Sequence, residues 1–159
     1  MSFSSVLPLF VFLVIAFAVA SSGAIFKPGA WYRALDKPSW TPPNWAFPVV
    51  WSVLFVLIAV SGWLVWREVG VATSAFVLYA VQYGLNGLWS YLFFGRRRPD
   101  LAFFDIVALW LSIVATIFAF APISATAAWL LVPYAAWVTI AGCLNFSVWR
   151  RNPGQFATI

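Results

Sequence analysis

The sequence predicts an all-α integral membrane protein, a single domain built as a bundle of five transmembrane helices. Three observations carry this. Of 159 residues, 64 % are hydrophobic and only 8 % charged, whereas a soluble domain is about 45–50 % apolar and about 25 % charged. The apolar residues fall in long unbroken runs, which matches membrane helices and not the alternating strands of about ten residues found in outer-membrane barrels. The basic residues cluster between and after those runs with a strong bias to one side. Disorder is excluded by the same composition, and so is a soluble enzyme, because 159 residues cannot enclose so much apolar surface.

A helix needs about 20 apolar residues to cross the hydrocarbon core. Residues 6–26 form the first uncharged run, ending at Lys27 and Pro28. Ala18-Val19-Ala20 resembles a signal-peptidase site, but no basic segment precedes it and the run continues past it, so it is read as a retained helix. Residues 47–66 form the second run, closed by Arg67 and Glu68, and residues 71–94 the third, stopped by Arg96-Arg97-Arg98-Pro99-Asp100. Residues 106–149 carry no charge and are about twice a single span, with Pro122 to Thr126 as the natural turn. They divide into helices over 102–121 and 126–149.

Five spans place the first loop, the third loop and the C-terminus together. That side holds Lys27, Arg33, Lys37, Arg96, Arg97, Arg98, Arg150 and Arg151, and Arg67 alone lies opposite. The positive-inside rule then puts the C-terminus in the cytoplasm and the N-terminus outside it. The same basic clusters account for the net charge of +5 without nucleic acid.

The chemistry is narrow. There is no His, Cys143 is the single cysteine and Met1 the single methionine. Internal disulfides and Cys/His zinc clusters are therefore impossible, no metal site is expected, and haem iron lacks its usual axial ligands. The acids Asp36, Glu68, Asp100 and Asp105 are too scattered for a paired-carboxylate hydrolase. Asp105, about one turn into the fourth span, is expected to snorkel toward Arg96–98 or Arg150, with proton coupling for a transporter as the alternative.

The surplus is aromatic: 11 Trp, 5 Tyr and 16 Phe. In the first loop, residues 27–46, Trp31, Tyr32, Trp40 and Trp45 stand among Pro38, Pro42 and Pro43, with Pro48 just beyond. The prolines deny a regular helix until after Pro48. The loop is read as a structured lid over a cavity, with an interfacial aromatic belt as the alternative. Gln82, Asn86 and Trp89 share one face of the third span, Tyr134, Trp137, Ala141 and Asn145 one face of the fifth, and Trp51 and Phe55 one face of the second. Amides among lipid ordinarily bond between helices. Combined with inward tryptophans they also suit a flat aromatic ligand carrying a few polar atoms. Ala16/Ala20/Ala24 and Ala80/Gly84 are small-residue patterns that permit close helix approach, and Ala80/Gly84 is the expected homodimer interface.

Several of these stretches resemble the tryptophan-rich sensory protein/translocator protein family (TspO/MBR, the peripheral benzodiazepine receptor family). They are Trp31-Tyr32, Lys37-Pro38-Ser39-Trp40-Thr41-Pro42-Pro43-Asn44-Trp45 and Phe47-Pro48-Val49-Val50-Trp51. Gln82-Tyr83-Gly84-Leu85-Asn86-Gly87-Leu88-Trp89, Val132-Pro133-Tyr134-Ala135-Ala136-Trp137 and Leu144-Asn145-Phe146 follow in the same order. The resemblance covers essentially the whole chain and points to a bacterial member.

It implies a dimeric five-helix receptor in a bacterial membrane for tetrapyrroles such as protoporphyrin IX, and for sterols and isoquinoline or benzodiazepine drugs. Porphyrin would be a ligand, with no cofactor required. The pocket would use Tyr32, Trp51, Phe55, Asn86, Trp89, Ser90, Trp137 and Ala141, with Trp40 and Trp45 from the loop. Lys27, Arg33 and Lys37 stand near its mouth, where propionates would meet them. The family's sterol-recognition pattern falls on Leu144, Phe146 and Arg150, with Phe146 in place of a Tyr, which weakens it. The alternatives are a transporter and a light-dependent porphyrin-degrading enzyme whose photochemistry would rest on Trp51 and Trp137. No acid–base pair or nucleophile supports conventional catalysis, so the chain is read as a binding protein.

Overall fold

A computed structural model describes residues 3–26 and 29–154. Every regular element among them is helical: α1 (Phe3–Ile25), α2 (Ala30–Ala34), α3 (Ala46–Val69), α4 (Ser74–Ser90), α5 (Pro99–Phe120) and α6 (Ala125–Arg151). The last turns of α4 continue as a π-helix over Tyr91–Gly95. Helices α3, α5 and α6 are long and apolar enough to cross a membrane, and Leu7–Gly23 within α1 is a shorter apolar stretch. At most 44 % of the apolar window of each long helix is buried in the chain. Phe104, Phe118 and Trp129 are among the large side chains left outward. A helix that is apolar on both its inner and outer faces has lipid as its outer solvent.

The element ends follow ordinary helix chemistry. Ser124 caps α6 by accepting from the Ala127 N–H at 3.3 Å. Pro99 opens α5, where its missing N–H costs nothing. Gly70 ends α3 at φ 70°, a left-handed geometry that side chains resist. The first loop departs from expectation. It contains the short helix α2, and α3 starts at Ala46, ahead of Pro48. Pro48 lies in the first turn, where a proline removes no intrahelical hydrogen bond, so it ends no helix there.

Helix α5 packs against α4 and α6, while α3 packs against α1 and α6. One core runs through the bundle and includes Ile58, Val65, Tyr79, Ile113, Phe120, Leu131, Tyr134 and Val138. Between α3 and α4 the Tyr79 side chain spans the gap: its phenol lies against Gly62, where an added Cβ would strike it. A second cluster, of Tyr32, Leu35, Phe93, Ala102, Leu144 and Val148, lies between the first loop and the ends of α4, α5 and α6.

Candidate functional site: an aromatic cavity between the helices

Helix geometry builds the site. Phe47 and Trp51 lie one turn apart on α3, Asn86 and Trp89 one turn apart on α4, and Trp137 and Ala141 one turn apart on α6. Their faces converge, with Ile106 and Leu109 of α5 and Val138 of α6, on a cavity of about 20 Å³. Aromatic edges close it: the ring of Phe47 meets Trp137 at 5.7 Å, and Trp51 meets Tyr134 at 6.0 Å.

Hydrogen bonds fix two of the walls. The Asn86 Nδ2 donates to the Tyr134 hydroxyl at 2.9 Å. The Trp89 Nε1 donates to Asn145 Oδ1 at 2.9 Å, and Asn145 Nδ2 donates to the Pro99 carbonyl at 2.6 Å. Asn145 thus joins α4, α5 and α6. The indole N–H of Trp137 is different: it is buried with no hydrogen-bond partner among the described residues. The cavity is lined mainly by apolar and aromatic side chains, and Trp137, one of them, keeps a buried donor without a partner among the described residues.

A model of the TspO/MBR family matches residues 10–150. The chain belongs to the TspO/MBR family. It is 48 % identical over 150 residues to "Protein CrtK" of Rhodobacter capsulatus, covering 91 % of this chain and 92 % of that one. It is 42 % identical over 158 residues to "Tryptophan-rich protein TspO" of Chlorobaculum tepidum, covering 93 % and 98 %. It is 40 % identical over 128 residues to the human "Translocator protein", covering 78 % and 76 %. Membership and the apolar helices together make it a multi-pass membrane protein.

Of the residues that the TspO/MBR resemblance pointed to, Trp51, Asn86, Trp89, Trp137 and Ala141 line the cavity together. Phe55 is buried one turn beyond, its ring 5.5 Å from Trp51, and Ser90 is buried beside Trp89, but neither is among the lining residues. Tyr32 is buried in the second cluster against Phe93 and Phe94. Burial pushes its phenol above the ordinary value.

The loop's outer tryptophans do not cover the site: Trp40 is 51 % and Trp45 69 % exposed. Proline-fixed backbone carries both outward, while the inner face of the loop is supplied by Tyr32 and Leu35. Lys37 is also committed elsewhere. Its ammonium donates to the carbonyls of Tyr32, Leu35 and Arg33 at 2.8, 2.9 and 3.4 Å and sits 4.9 Å over the Tyr32 ring. It closes the end of α2 and has no donor left for a propionate. Arg33 is exposed, and Lys27 lies outside the described residues.

The sterol-pattern residues part company on α6. Leu144 is buried in the second cluster, whereas Phe146 and Arg150 are exposed. Ala80 and Gly84 lie exposed on α4, and a Cβ at Gly84 would meet open space. Asp105 does not snorkel to the arginines. It is 7 % exposed, and neither carboxylate oxygen has a partner among the described residues; Arg98 pairs with Asp100 instead, and Arg150 is exposed. Gln82, fully buried, likewise leaves both amide atoms without a partner among the described residues. Sequence reasoning missed Phe47, Ile106, Leu109 and Val138. Phe47 extends the Trp51/Phe55 stripe by one turn and was findable, but the aliphatic residues sit in runs where every neighbour is equally apolar.

Proposed function

We propose that this chain is a membrane receptor or sensor for a flat, largely apolar ligand, a tetrapyrrole such as protoporphyrin IX, held between α3, α4 and α6. The observation that carries this is the convergence of Trp51, Asn86, Trp89, Trp137 and Ala141, drawn from separate helices, on one cavity. Aromatic walls suit the faces of a macrocycle, and the unused Trp137 N–H suits one of its acceptor atoms. Sterols and isoquinoline or benzodiazepine drugs are apolar enough for the same walls, though a split Leu144/Phe146 pair gives sterols little support.

In this reading α1, α3, α4 with its π-helical end, α5 and α6 all cross the membrane. The first loop, the start of α5 and the end of α6 meet at one end, through Asp36, Pro99, Asn145 and Asn152. The clustered arginines therefore share that end, which supports a cytoplasmic C-terminus. The exposed Ala80/Gly84 face is the homodimer contact.

The test is a titration of tryptophan fluorescence with protoporphyrin IX. Ala141→Phe should overfill the cavity and weaken binding roughly 5- to 150-fold, equivalent to about 1–3 kcal/mol. Trp129→Phe, on the outer face at 72 % exposure, should change little. Equal losses in both would mean that porphyrin merely coats an aromatic surface. A second reading, light-dependent porphyrin degradation, draws on Trp51 and Trp137 lining the same cavity. It requires protein-dependent bleaching under illumination that Trp51→Phe or Trp137→Phe abolishes.

A further inference from the structure

The cavity has room for about one water and no more: about 20 Å³, against about 300–1,000 Å³ for pockets that hold drug-sized ligands. Any larger ligand must first part its walls. Two of those walls are tied to the first loop. Phe47 follows the loop directly in the chain and meets Trp137 across the cavity. Trp89 stacks on Phe93 at 5.0 Å and 24°, and Phe93 in turn carries Trp31 and Tyr32 of α2 at 5.9 and 6.2 Å. Loop displacement would therefore pull Phe47 and unload Trp89 together.

One side chain clips this loop to the rest of the molecule. Asn152, 2 % exposed at the end of α6, accepts from the Asp36 N–H through Oδ1 at 2.9 Å and donates from Nδ2 to the Asp36 carbonyl at 2.9 Å. The same Nδ2 donates to the Val148 carbonyl at 2.8 Å, which closes the last turn of α6. A side-chain amide that satisfies both backbone groups of one residue is a reciprocal pair, as specific as a rung between strands. The neighbouring ion pair, Arg151 to Asp36 at 3.4 Å, is half-exposed and adds little by comparison.

We propose that Asn152 is the latch of the cavity: the first loop unclips from the end of α6 to admit ligand, and this clasp sets how often it does so. The inference rests on the cavity being the ligand site. If binding needs an unclipped state that is seldom populated, the observed association rate falls with that population. Breaking two hydrogen bonds of ordinary strength should raise it roughly tenfold or more.

The test is stopped-flow quenching of the full chain by protoporphyrin IX. Asn152→Ala should bind roughly ten times faster or more, with faster hydrogen exchange at the Asp36 amide. Asn152→Asp keeps the acceptor but has no donor for the Asp36 and Val148 carbonyls, and should also speed binding; it carries the test if the alanine variant does not fold. Arg151→Ala should leave the rate near that of the parent. An unchanged rate in the Asn152 variants overturns the latch, and so does an equal rise in Arg151→Ala. The Ala141→Phe variant separates the two readings. If it loses affinity while Asn152→Ala keeps the parent rate, the cavity stands and the latch falls. If it binds with full affinity, both fall.

Discussion

Asn145 is where three helices meet. Its amide accepts from Trp89 of α4 and donates to the Pro99 carbonyl of α5, so all of its bonding runs between elements. Replacing it by Ala strands a half-buried indole N–H and a buried carbonyl at once. The expected loss is about 1–3 kcal/mol, read as a lower unfolding temperature in detergent, together with weaker porphyrin binding as Trp89 loses its fixed orientation. A stability unchanged from the parent would mean that water replaces the amide. Asp105 predicts the opposite behaviour. A carboxyl group buried without partners is costly to keep, so Asp105→Asn should not lower the unfolding temperature. If the chain works as a proton-coupled transporter, the same variant should abolish pH-driven porphyrin flux in proteoliposomes. These roles were legible in the sequence only in part. Spacing showed that Asn86 and Asn145 share faces with tryptophans, because a 3.6-residue period can be counted. Which amide pairs across helices and which stays unpaired depends on the rotation of each helix against its neighbours, and no periodicity encodes that. The Asn152 clasp, reaching 116 residues back to Asp36, left no trace in the sequence for the same reason.

At the scale of elements, the contact of α3 with α4 is set by the absence of a side chain. Gly62 admits the Tyr79 phenol, whose hydroxyl donates to the Ile58 carbonyl at 2.8 Å. Gly62→Ala should therefore displace the Tyr79 phenol from its bond to Ile58 and destabilise the fold by about 1–3 kcal/mol, measurable by thermal unfolding. Gly84→Ala, with nothing within 4 Å, should be neutral to stability in the monomer. The Ala80/Gly84 face is instead tested by assembly: Leu at both positions should shift the detergent-solubilised protein from dimer to monomer, and an unchanged mass would place the interface on another helix. The positions of the helices were the most legible part of the fold. Runs bounded by charge mark where a helix leaves the apolar layer, and the expected segments at 47–66, 102–121 and 126–149 fall within one to three residues of α3, α5 and α6. The ends were harder to place, because helix continues past the apolar run wherever its last turns can be capped. The π-helical turn at Tyr91–Gly95 was invisible, since it changes the register of a helix and leaves its composition alone.

For the whole molecule, the arrangement of charge gives the orientation prediction. A reporter enzyme active only in the cytoplasm, fused after Ile159, should be active, and a periplasmic reporter at the same point silent. The reverse pattern would invert the molecule. The small size of the cavity has a further consequence. With the cavity walls so close, admitting the proposed macrocycle would widen the bundle's cross-section. The surrounding lipids resist that widening with their own lateral pressure. Affinity therefore becomes a property of the bilayer as well as of the protein: loosely packed detergent or unsaturated lipid should favour the filled state, and tightly packed saturated lipid the empty one. Such a receptor would report how crowded its membrane is along with how much ligand is present.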